Sequence, residues 1–123
     1  MTGSLFWGLE VIFLKVNILG TKYAIKETCK EKDAFLEKCD GYCDKTTRTI
    51  VITTEPKDSE LGCWNIYRKK ILRHEIIHAF LFESGLHENF QHQEFGHEET
   101  FIDWFAAQYP KIKAVYIAVG CDE

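Results

Sequence analysis

The chain has 123 residues, a formal net charge of −4, 46% hydrophobic residues and 28% charged residues. That length and balance predict one globular domain over 1–123 with a real core, and the mild acidity offers no basic footprint for nucleic acid. The apolar stretch Leu5 to Leu19 is broken by Glu10 and Lys15, which argues against a membrane span or a signal peptide.

The cysteines stand at 29, 39, 43, 63 and 121. An odd number without paired spacing points to reduced thiols in a cytosolic protein rather than a disulfide framework. Cys39 and Cys43, joined by Cys29 or Cys63, form a loose candidate for a second metal site.

Taken in order, residues 1–8 are expected to be loosely ordered. Glu10 to Ile18 and Lys22 to Lys26 flank a Gly-containing turn and predict a β-hairpin. Lys30 to Lys38 suits a short helix with Phe35 and Leu36 facing in, and Asp40-Gly41 marks a turn. Thr46 to Thr54 reads as a strong strand with Ile50 and Ile52 on one face. A helix begins between Ser59 and Asn65, runs through an almost continuously apolar stretch that predicts burial, and stops at Gly85. Residues 86–96 are polar and loop-like. A second helix starts near His97 and runs to Gln108, with Pro110 closing it or opening a last apolar segment.

The chemistry concentrates in His74-Glu75-Ile76-Ile77-His78. On a helix, residues four apart share a face, so both imidazoles can address one ion while Glu75 reaches a water held there. The bland alternative is a pair of core histidines satisfied by hydrogen bonds. A hydrolytic zinc site takes three protein ligands, and His87, His92, His97, Glu98 and Glu99 are the candidates for the third. A helix holds a ligand more rigidly than a polar loop, which favours residues 97–99. Glu99, Ile102, Asp103 and Ala106 share one helical face, so Glu99 can address the metal while Asp103 accepts the outer N–H of a ligating His. The longer pattern with a third His is excluded, because Leu81 and Ser84 occupy its Gly and His positions.

These residues resemble a known family. The run His74 to Phe80, the exit Glu83-Ser84-Gly85-Leu86 and the run Glu98-Glu99…Asp103-Trp104-Phe105-Ala106 resemble small phage- and prophage-encoded metallopeptidases. These are gluzincin-type proteins related to the ImmA/IrrE-like immunity proteases. In that family the third ligand is a Glu, followed three, four, six and seven residues later by Ala, Asn, Phe and Ala. Here Glu99 is followed by Ile102, Asp103, Phe105 and Ala106, so Ile102 departs from the pattern. Strand 49–53 is similar to the edge strand that lies over the active site in zincins. The likeness covers roughly residues 16–112 and is most specific at the two helices.

The resemblance implies an α+β, minimal zincin-like fold with a small N-terminal sheet packed on the active-site helix. It implies a zinc metallopeptidase that hydrolyses peptide bonds, with His74, His78 and Glu99 as metal ligands, Glu75 as general base and a zinc-bound water as nucleophile. Tyr67, Tyr109, His92 and His97 are candidate oxyanion donors, and a peptide substrate is expected to add as a strand along Ile50 to Thr53. The alternative is a zinc-binding structural or regulatory phage protein without protease activity.

Overall fold

The computed structural model describes residues 11–86 and 99–122, and excludes the side chains of residues 11–13, 99, 100, 102, 103 and 106. The expectation for residues 1–8 therefore lies outside the described residues. The fold is α+β, a four-stranded sheet with two long helices.

β1 (Val11–Ile18) and β2 (Thr21–Thr28) form the expected antiparallel hairpin, with a register shift between Ile12 and Leu14. The turn needs two left-handed residues, supplied by Leu19 at φ 53° and Gly20 at φ 95°. Asn17 Oδ1 accepts from the Gly20 N–H at 2.6 Å and fixes that turn.

The chain then crosses over through a 3-10 turn (Ala34–Glu37) to β3 (Gly41–Asp44), and returns as β4 (Thr49–Thr53). The segment expected to be a short helix is thus only this turn, opened by Asp33, whose Oδ1 accepts from the Phe35 N–H at 3.1 Å. Of Phe35 and Leu36, both expected to face in, only Leu36 is buried. Phe35 is 70% exposed and leans on the Tyr42 ring at 5.4 Å.

The sheet order is β1-β2-β4-β3, with β4 parallel to β2 and antiparallel to β3. β4 is therefore an interior strand, contrary to the edge position expected for residues 49–53. Ile50 and Ile52 are buried in the core on one face, and Val51 is buried on the other, at the wall of a cavity shared with Tyr42 and Thr49. Its main chain is occupied on both edges, so no peptide can add there. The outer strand on that side is β3, which among the described residues pairs only with β4.

α1 (Trp64–Ser84) lies across the sheet and ends at Gly85, whose φ of 81° and N–H bond to the Phe82 carbonyl make the expected left-handed cap. Ile71, Leu72, Ile76, Ala79 and Phe80 join the core, which corrects the picture of a helix buried all round: His74 and His78 are exposed.

α2 (Glu99–Val119) runs straight through Pro110 and settles the last segment as helix. Proline costs one turn its N–H bond, but Ile112 and Val115 beyond it are buried against the core, and that burial holds the helix together. The Tyr116 hydroxyl donates to the Arg73 carbonyl at 3.2 Å, and Arg73 Nη1 donates to the Cys121 carbonyl at 2.8 Å. Trp104 Nε1 donates to Ser84 Oγ at 3.0 Å. These bonds tie α2 to α1. No helix among the described residues is long and apolar enough to cross a membrane.

Candidate metal centre

His74 and His78 stand one turn apart on the open face of α1 with their rings at 65° and centroids 4.9 Å apart. Their Nε2 atoms approach to 3.2 Å. Two nitrogens bound tetrahedrally to one zinc at about 2.0–2.1 Å lie about 3.3 Å apart, so this pair fits a shared ion. The same separation suits an N–H···N bond between complementary tautomers.

The His78 imidazole is held below its usual pKa, first by packing around a ring that keeps one side open, then by the neighbouring His74. That keeps it neutral, the form that ligates metal. Phe82 stacks on the His78 ring at 6.2 Å.

Glu75, next to His74 in the chain, is buried where the imidazoles are exposed, yet shares the wall of one cavity with His74. It is 6% exposed, and burial alone pushes its carboxyl up to about 7. A base poised near neutrality is what proton transfer at neutral pH asks for. A bound cation would draw it back down.

β3 forms the opposite wall. Gly41 sits so close to α1 that a Cβ there would come within 2.8 Å of Ile71 Cγ2, and the absence of a side chain is what lets strand and helix meet. Cys43 lies close enough to Glu75 to feel its charge. Burial, then Glu75, Asp44 and Glu83, push that thiol up to about 12. Cys43 is therefore a neutral thiol and a poor metal ligand. All five cysteines are free thiols, with Cys39 and Cys63 exposed.

Beside the motif opens a cavity of about 320 Å³ whose wall includes His74, Glu75, Gly41, Asp40, Tyr67 and Lys70. The Tyr67 hydroxyl donates to Asp40, which raises its pKa. Of the residues expected as oxyanion donors, Tyr67 is at the site with its proton committed to Asp40, and Tyr109 stands exposed on α2 against Phe105. His92 and His97 lie outside the described residues.

The residues expected to supply a third ligand fall in the same gap. Glu99 is the first residue of α2 and Asp103 lies one turn on, but their side chains are outside the description. His87, His92, His97 and Glu98 are outside it altogether. Among the described residues no three His, Cys, Asp or Glu side chains converge on one point.

Sequence reasoning missed β3 as a strand and, with it, the place of Gly41 and Cys43 beside the motif; Cys43 was singled out only for a second metal site. The signal of that strand was the alternation Gly41-Tyr42-Cys43-Asp44, hidden by reading Asp40-Gly41 as a turn. Comparison with models of protein families, with curated proteins and with solved structures finds no match to this chain.

Proposed function

We propose that this chain is an intracellular zinc-dependent metallopeptidase of gluzincin type, on a minimal zincin-like fold, of the kind carried by phages and prophages. The observation that supports it most is the imidazole pair of His74 and His78, whose Nε2 atoms lie 3.2 Å apart beside a buried Glu75.

In this reading His74, His78 and Glu99 hold Zn²⁺, and Asp103 accepts the outer N–H of one ligating ring. Zinc, when bound, supplies Lewis acidity toward a carbonyl oxygen and acidifies water. Glu75 takes the proton that the attacking water gives up and hands it on to the leaving amine. The edge of β3 away from β4, next to the cavity that His74 and Glu75 line, pairs with no strand among the described residues and is the edge along which an extended peptide would add. β3 takes over the role that residues 49–53 cannot perform from the sheet interior.

The test is a zinc titration against a chelator of known affinity, paired with cleavage of a peptide library. Glu75→Gln is expected to keep zinc and lose cleavage by about a hundred-fold or more. His78→Ala is expected to lose both. Parent-like cleavage by Glu75→Gln would sink the assignment.

A second reading is a zinc-binding structural or regulatory protein that cleaves nothing. The hydrogen-bond distance between the two exposed rings supports it, since the pair can satisfy itself. It predicts zinc bound with four protein ligands and no turnover of any peptide.

A further inference from the structure

The cavity of about 320 Å³ beside the motif has two walls. One is residues 39–41, where the chain enters β3. The other is the side of α1 on which Tyr67, Lys70 and His74 recur at spacings of three and four. Gly41 and Ile71, which abut, join the walls. The volume lies at the lower end of the roughly 300–1,000 Å³ of small-ligand pockets. It suits one or two residues of a peptide rather than a long segment.

The cavity holds few charges. Asp40 accepts from the Tyr67 hydroxyl, and burial brings the Glu75 carboxyl up to about 7, so that it is only partly ionised at neutral pH. Among the described residues of the wall, Lys70 alone carries a fixed positive charge. Its neighbours three and four positions away on α1 are Ile66, Tyr67, Arg73 and His74, so the helix supplies it with no carboxylate. Arg68, two residues earlier, is instead tied to Glu27 at 3.2 Å. Among the described residues no ion pair holds the Lys70 ammonium. An exposed lysine on a helix is ordinarily a solvated charge; this one lines a cavity, one turn before His74.

We propose that Lys70 is a specificity-determining residue that recognises a carboxylate of a peptide bound in this cavity. The carboxylate is the C-terminus of the peptide or an Asp or Glu side chain. The inference rests on the peptidase reading for where the reacting bond lies, beside His74 and His78. Residues four apart on a helix have Cβ atoms about 5–6 Å apart, and extended chain advances roughly 3.3 Å per residue, so the carboxylate lies about one to three residues from that bond.

The test reads binding, not turnover. Peptides labelled with rhodamine at the N-terminus are titrated by fluorescence polarisation into zinc-loaded Glu75→Gln protein. One series compares a free C-terminus with a carboxamide. The second keeps the carboxamide and compares Glu with Gln at each position in turn. In one series the carboxylate form is expected to bind about two- to five-fold more tightly at low salt, with the difference fading as salt rises. The series that shows it names the source of the carboxylate. Adding Lys70→Ala should erase the preference, Lys70→Glu should reverse it, and Lys70→Arg should keep it. Adding Lys22→Ala, in the β1–β2 hairpin, should leave it intact. A preference of equal size with and without Lys70 would put the carboxylate on the metal instead and overturn the proposal. Equal loss with Lys22→Ala, or no binding of any peptide, would overturn it too. A Lys70-dependent preference in a protein that binds no zinc would sink the peptidase reading and keep this one. Zinc-dependent cleavage without a Lys70-dependent preference would do the reverse.

Discussion

The inward and outward faces of α1 come from one stretch of chain and obey opposite rules. Inward, Ile71, Leu72, Ile76, Ala79 and Phe80 are each at most 7% exposed and fill space against the sheet. Outward, Tyr67, Lys70 and His74 line the cavity beside the motif, and Phe82 stacks on the exposed His78 ring. Glu75 belongs to both, buried with the first set and one bond along the chain from the second. A helix can carry a reactive face cheaply when its other face supplies the stability.

The largest expected effect comes from breaking the inward face. Phe80→Ala should cost about 3–5 kcal/mol, read as a lowered denaturant midpoint, because a fully buried ring leaves a cavity that the sheet cannot close. A loss below about 1 kcal/mol would mean that this face is not the core.

Glu75 should give the next effect, in the metal-free protein. Its carboxyl titrates near 7 when folded against an ordinary 4.5, so between those values the folded state holds more protons than the unfolded. Stability should therefore fall as pH rises from about 4.5 to 7, by an amount on the order of 3 kcal/mol, and remain low above that. Glu75→Gln should flatten the profile, and an unchanged slope in that variant would assign it to another group.

Gly41→Ala should cost about 1–3 kcal/mol, since the added methyl meets Ile71 at 2.8 Å and the Val51 carbonyl at 3.1 Å and must push β3 from α1. Smallest is the outward face: His74→Ala should change stability by no more than about 0.5 kcal/mol without metal, while removing the zinc-dependent rise in melting temperature. A large loss without metal would mark the His pair as structural.

The parts of the fold visible in the sequence are those set by neighbours in the chain. The hairpin around Leu19-Gly20, the strand through Ile50, the helix start near Trp64 and its stop at Gly85 each follow from residues within a few positions. The convergence of His74 and His78 is of the same kind, because the helical repeat alone puts them together. Errors arose where distant packing decides. Phe35 turned outward because a 3-10 turn buries only one of two adjacent apolar residues. Pro110 failed to end α2 because burial beyond it outweighs one missing hydrogen bond.

Sequence alone determined the chemistry on offer: two imidazoles and a carboxylate at helical spacing, and strands rich in β-branched residues. Only the tertiary structure decided which groups meet. Strand order is a property of long-range pairing, so it took the crossover through residues 29–48 to send β4 inside and leave β3 at the border. That placement brings Gly41 and Cys43 alongside a motif some thirty residues away, and no local periodicity encodes it.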